Sequence, residues 1–176
     1  MFIRTKKSLG QHFLKNKKIA EKIVETANIS KNDVILEVGP GKGILTELLL
    51  QKAKKVIAVE KDRILADFLS DRFSAEGGSA SGGNGQKNLE IICKDILKFN
   101  IEMRKPKIIN YKIVANIPYY ITSHFLRKFL ERNLQPSLMA LMVQKEVAER
   151  IIAKDRKENL LSISVKAYGK PQIIAQ

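Results

Sequence analysis

Four short stretches set chemistry-bearing residues at the ends of apolar runs. Glu37-Val-Gly-Pro-Gly-Lys-Gly43 closes the run that starts at Asp33 and carries glycine at 39, 41 and 43. Glycine in such a turn lets bare backbone approach a ligand that a β-carbon would hold away. Glu60 ends the next apolar run, where a carboxylate is placed to accept both hydroxyls of a ribose. Asp95 follows the third run in Cys93-Lys94-Asp95-Ile96, where a carboxylate can accept the exocyclic amine of an adenine; a turn cap is the plainer alternative. Glycine turn, ribose acid and amine acceptor, met in that chain order, point to an adenosine-containing ligand.

A nicotinamide dinucleotide site uses the same plan but needs Gly-x-Gly-x-x-Gly, and the final position here is Ile44. The Gly-x-Gly-x-Gly spacing is instead typical of adenosylmethionine sites. The fourth stretch, Asn116-Ile117-Pro118-Tyr119-Tyr120, has its own logic. An adenine amine is a poor nucleophile because its lone pair is delocalised into the ring. The Asn116 side-chain oxygen and the Ile117 carbonyl can accept its two hydrogens and leave the lone pair aimed outward. Pro118 stiffens the loop and Tyr119 offers a face on which the base can stack. A paired base cannot enter such a pocket, so the target has to be flipped or single-stranded. The plainer alternative is an ordinary proline turn between strand and helix.

The elements that must hold these residues follow from periodicity. Asp33–Val38, Lys55–Val59, Leu89–Cys93, Tyr111–Ala115 and Leu138–Val143 are short apolar runs of strand type. Helical spacing is predicted before Asn28, from Ile44, over Arg63–Phe73, over Ile121–Arg132 with Phe125, Leu126 and Phe129 inward, and over Glu146–Ala153 and Leu160–Ala167. Pro171–Gln176 reads as the opening of a sixth strand. Alternating strands and helices imply an α/β, Rossmann-like, mostly parallel sheet with helices on both faces, and ligands bind such sheets at the carboxyl ends of the strands. Gly77–Gly85 contains nothing to bury and reads as a flexible surface loop. Cys93 reads as a buried, inert strand residue, Met139 and Met142 as core, and His124 as structural.

The 176 residues fit one domain, taken as 1–176, and contain 32 Lys+Arg against 18 Asp+Glu, a net charge of +14. Such an excess favours a polyanionic partner. It is clustered: Arg4, Lys6, Lys7, Lys15, Lys17, Lys18 and Lys22 precede residue 23, opposed only by Glu21. One cysteine excludes a disulfide framework or a cysteine-based metal site, and no metal is expected. No apolar stretch approaches the roughly 20 residues of a membrane span, and the N-terminus lacks the apolar core of a secretory signal. A cytoplasmic monomer is the expectation.

Lys7-Ser-Leu-Gly-Gln-His-Phe-Leu14, Glu37-Val-Gly-Pro-Gly41, Val59-Glu60, Lys94-Asp95 and Asn116-Ile-Pro-Tyr119 together resemble the ribosomal RNA adenine N6-dimethyltransferases. The resemblance spans nearly the whole chain apart from the glycine-rich stretch. It implies a class I methyltransferase that uses S-adenosyl-L-methionine, with His12, Leu14, Gly39, Gly41, Glu60, Asp95 and Asn116 bordering the cofactor. It implies a catalytic loop of Asn116, Ile117, Pro118 and Tyr119; the clustered charge, by contrast, is what places Lys6, Lys7, Lys15, Lys17 and Lys18 on the RNA. His12 taken alone would be a solvated histidine; its place in Gln11–Leu14 raises it. Tyr119–Ser123 and Met142–Arg150 look like the branch that dimethylates two adjacent adenines in a small-subunit rRNA hairpin, acting on the immature small subunit. A large-subunit methyltransferase of the macrolide-resistance type, an assembly factor with little catalysis and a DNA adenine methyltransferase stay open. Family members continue into a small helical C-terminal domain whose residues do not occur here.

Overall fold

Five of the apolar runs pair side by side because each is too apolar to face water on either side. They are Val34–Val38 (β1), Lys55–Glu60 (β2), Leu89–Cys93 (β3), Lys112–Asn116 (β4) and Leu138–Met142 (β5), in the order β3-β2-β1-β4-β5, all parallel. The computed structural model describes residues 14, 16–74, 87–154 and 157–175, so segment 77–85 lies outside it. The α/β, Rossmann-like expectation holds.

Strand residues alternate between two core layers, as the period of two requires. Ile35, Val56 and Val114 face Lys17–Thr26 (α1), Ile44–Lys52 (α2) and Arg63–Phe73 (α3), meeting Ala20, Val24, Leu45, Leu49 and Leu69. Leu36, Ile57 and Ile113 face Thr122–Leu130 (α4), meeting Phe125 and Phe129, with Phe99 and Ile101 from the β3–β4 connection. Lys145–Ile152 (α5) and Leu160–Lys166 (α6) complete the helices, α6 packing beside α4. The ends of these helices carry local signals. Asn16 caps α1 by accepting the Lys18 and Ile19 N–H groups, and Asn159 and Ser162 form a reciprocal capping box on α6. Gly43 starts α2 at φ +81°, and a β-carbon there would lie 2.8 Å from Leu69 and Phe73 of α3, so glycine allows α2 and α3 to close up.

Three expectations change. The Ile121–Arg132 helix is shorter: a one-turn 3-10 helix, Tyr119–Ile121, leads into α4, because the Pro118 carbonyl accepts both the Ile121 N–H and the Thr122 hydroxyl. Residues 171–175 form no strand, and the sheet has five strands among the described residues. Cys93 is exposed, not buried, because it lies at the end of β3, and β3 is an edge of the sheet. No helix among the described residues is long and apolar enough to cross a membrane.

Candidate active site

The order of connection reverses between β1 and β4, and the crevice outside the carboxyl ends of these strands is where such sheets take ligands. A cavity of about 450 Å³ lies there, within the roughly 300–1,000 Å³ usual for a small-molecule site. Gly39, Gly41, Glu60, Asp95, Asn116, Ile117, Pro118 and Tyr119 all line it. Residues spread over nearly eighty positions are thus gathered by the pairing of four strands.

Gly39 follows β1 at φ +65°, with its N–H donated to the Val59 carbonyl at 3.0 Å. This draws the turn across the end of β2. Glu60 closes the turn from the other side. Its Oε2 accepts the Gly41 N–H at 3.2 Å and its Oε1 the Asp62 N–H at 2.9 Å. Burial pushes the Glu60 carboxyl above the ordinary carboxylate range, and the backbone N–H groups of Asp62, Gly41 and Lys61 work against that rise. A carboxylate offers about four lone-pair sites, so room remains beside these N–H groups for a hydroxyl donor.

Asp95 both caps a turn and lines the cavity. Its Oδ1 accepts the Leu97 N–H at 2.9 Å, and its Oδ2 pairs with Lys61 Nζ at 2.9 Å. Burial raises this carboxyl, but the Lys61 ammonium and the Leu97 N–H outweigh it and hold the group below its ordinary value. Asn116 ends β4 in register with Met142, and the next residue, Ile117, donates its N–H to the Met142 carbonyl at 3.0 Å. The catalytic-type loop is therefore tied to β5 before it turns. Tyr119 and Tyr120 stand half-exposed at the rim, edge to face at 5.9 Å between ring centres. A half-exposed aromatic face at the rim of a mostly apolar pocket is suited to stacking a base.

Other expected residues fall elsewhere. Leu14 packs against the α1–α2 core layer and is not among the residues that line the cavity. His12, Lys6, Lys7 and Lys15 lie outside the described residues, and Lys17 and Lys18 are exposed at the start of α1. Met139 packs partly buried against the α4 layer, whereas Met142 lines the cavity with Val143 and Gln144. His124 is exposed on the first turn of α4.

Two residues escaped the sequence reading. Lys61, next to Glu60, lines the cavity through its pair with Asp95; an adjacent charge on a surface-facing turn gives no hint of that. Glu37 is fully buried in β1, and no hydrogen bond of ordinary geometry reaches either of its carboxylate oxygens, although Thr46 faces it. Burial, with the Glu60 charge adding to it, pushes Glu37 up to about 8 against the opposing Thr46 hydroxyl. Its signal was available: an acid inside an otherwise apolar strand.

The model of the ribosomal RNA adenine dimethylase family matches residues 3–176. The chain belongs to that family. Ribosomal RNA small subunit methyltransferase A of Dehalococcoides mccartyi is 44% identical over 173 residues, covering 98% of this chain and 56% of the relative. The protein of that name from Fusobacterium nucleatum is 40% identical over 176 residues, covering 99% and 62%. Among solved structures, a dimethyladenosine transferase from Plasmodium falciparum superposes with a TM-score of 0.72 at 36% identity, over 88% of this chain and 52% of that one. The 23S rRNA methyltransferase ErmE gives 0.63 at 31%, over 79% and 50%. The chain thus spans little more than half the length of these family members.

Proposed function

We propose that this chain is the catalytic unit of a small-subunit rRNA adenine N6-dimethyltransferase, acting on two adjacent adenines of an rRNA hairpin in the immature small ribosomal subunit. The observation that carries this reading is the meeting, in one cavity, of the glycine turn, the Glu60 and Asp95 carboxylates and the Asn116–Tyr119 loop. The most similar relatives quoted above are small-subunit methyltransferases. S-adenosyl-L-methionine, when bound, supplies the electrophilic methyl group. The residues present fit it: a buried carboxylate with free lone pairs for the ribose, an exposed glycine at φ +65° beside it, and a carboxylate across the cavity for the adenine amine.

In this reading Glu60 accepts the ribose hydroxyls, Asp95 the cofactor amine, and Gly39 and Gly41 present bare backbone. His12 is assigned to the cofactor by the family resemblance alone. Asn116 Oδ1 and the Ile117 carbonyl accept the two hydrogens of the target amine, which turns its lone pair toward the methyl donor. The Ile117 N–H bond to Met142 keeps that carbonyl from swinging away. Tyr119 stacks on the flipped base. After transfer the cationic amine loses a proton to solvent, so no general base is needed. A cytoplasmic monomer completes the proposal.

The test is transfer of labelled methyl from S-adenosyl-L-methionine to immature small subunits, with nucleoside analysis for N6,N6-dimethyladenosine. Asn116→Ala should lower transfer at least a hundredfold while the variant still binds cofactor. Near-normal transfer by that variant would remove Asn116 from the mechanism. The 31% identity to ErmE keeps a second reading, a large-subunit adenine target. Label appearing only on large-subunit rRNA would favour it. Cofactor binding without label on either subunit would favour an assembly factor.

A further inference from the structure

A file of cations leaves the mouth of the cavity along the seam between the β3–β4 connection and α4. Lys61 and Lys94 line the cavity itself. Lys98 follows on the turn that Asp95 closes, where the Lys98 N–H donates to the Asp95 carbonyl at 2.9 Å. Lys128 of α4 reaches the same turn and donates to the Leu97 carbonyl at 2.6 Å. Arg132, just past the end of α4, donates to Asn100 Oδ1 at 2.6 Å. Two acids sit among them: Asp95, held by Lys61, and Glu102, which accepts the Leu134 N–H. The positive charges named here outnumber the negative, and the hydrogen bonds to Leu97 and Asn100 hold Lys128 and Arg132 in place before any ligand arrives. Burial, and then the neighbouring Arg132 charge, makes the Lys128 ammonium easier to deprotonate than usual, with Asp95 partly offsetting this.

The second basic group, Lys17, Lys18 and Lys22, projects from α1. The α1 helix covers one face of the sheet, whereas α4 and the β3–β4 connection cover the other. One strand of nucleic acid entering the cavity cannot follow both routes at once. The exposed Tyr119 and Tyr120 begin the 3-10 turn that runs directly into α4, so a base stacked there has its backbone on the α4 side.

We propose that the file Lys61–Lys94–Lys98–Lys128–Arg132 is the track for the phosphate backbone of a single-stranded RNA segment whose base enters the cavity. This rests on the rRNA reading given above and says where the polyanion lies. A stripe of fixed cations beside an aromatic platform is the arrangement that binds single strands without reading their sequence.

The probe is a fluorescein-labelled RNA hairpin with two adjacent adenines in its loop, titrated by anisotropy at several salt concentrations. Each lysine that neutralises a phosphate contributes roughly 0.7–0.9 to the slope of log Kd against log salt. The variant K94Q/K98Q/K128Q should lower that slope by about two and weaken binding on the order of 10- to 100-fold at low salt. K17Q/K18Q/K22Q should change both far less. If the first variant melts early, K94Q/K98Q alone should show about two-thirds of the slope change, since both side chains are exposed. A K94Q/K98Q/K128Q variant that binds like the unaltered chain, or a loss that falls equally or mainly on the α1 variant, overturns the proposal while leaving the rRNA reading intact. An unaltered chain that binds cofactor but shows no salt-dependent RNA binding overturns both.

Discussion

Glu37→Gln should make the protein more stable, and by an amount that grows with pH. The carboxyl is fully enclosed in β1, without a hydrogen bond of ordinary geometry, and is raised from an ordinary 4.5 to about 8, chiefly by burial. A carboxyl raised on folding binds its proton more tightly in the folded chain than in the unfolded one. Below about 4.5 both states are protonated and Glu37 costs nothing through ionisation. Between 4.5 and about 8 the unfolded state ionises while the folded state keeps its proton, so stability falls as pH rises; above about 8 the penalty is complete. At about 1.4 kcal/mol per pH unit, the loss between pH 5 and pH 7.5 comes to roughly 3 kcal/mol. Glutamine has the same shape and no such titration. Urea unfolding of both proteins at pH 5, 6, 7 and 8 isolates the effect, because groups away from Glu37 titrate alike in the two. The gap in unfolding free energy between Glu37→Gln and the unaltered chain should widen with pH across that range. A constant gap, whatever its size or sign, would show that Glu37 is not held protonated and that the orphaned carboxylate has partners.

Lys61→Met should tighten S-adenosyl-L-methionine binding about two- to fivefold by calorimetry and reduce its salt dependence. The Lys61–Asp95 pair is half-exposed, worth ~0.2–1 kcal/mol, and competes for the carboxylate that the adenine amine needs; weaker binding would mean that the ammonium helps to hold the cofactor. Gly43→Ala should lower stability by roughly 1–3 kcal/mol, read as a shifted urea midpoint, because the added carbon meets Leu69 and Phe73 at 2.8 Å from a backbone at φ +81°; an unchanged midpoint would show that α2 and α3 separate freely. Tyr119→Phe should retain methyl transfer within a few-fold while Tyr119→Ala loses most of it, since stacking needs the ring and not the hydroxyl; equal losses in both would assign the work to the hydroxyl.

Much of the site was legible because its parts are local. A glycine turn after an apolar run, an acid at the end of the next and Asn-Ile-Pro-Tyr after the fourth need only neighbouring residues to be recognised, and each lies at a strand end. The strands themselves were found within a residue or so, since five apolar residues between turns have few other ways to bury both faces. Order in the sheet is different, because it depends on pairing between segments far apart in sequence. Only the insertion of β4 beside β1 sets Asn116 against the glycine turn, its carbonyl 3.7 Å from where a Gly39 β-carbon would stand. The same pairing left β3 at an edge and so exposed Cys93, an apolar-looking strand residue. It enclosed Glu37 without a hydrogen bond of ordinary geometry, turned Lys61 onto Asp95, and brought α4 against the turn after β3 to line up the cations there. Residue types and spacing determined which chemistry the chain carries; long-range strand pairing, driven by burial of both sheet faces, decided which groups meet and what charge each one feels.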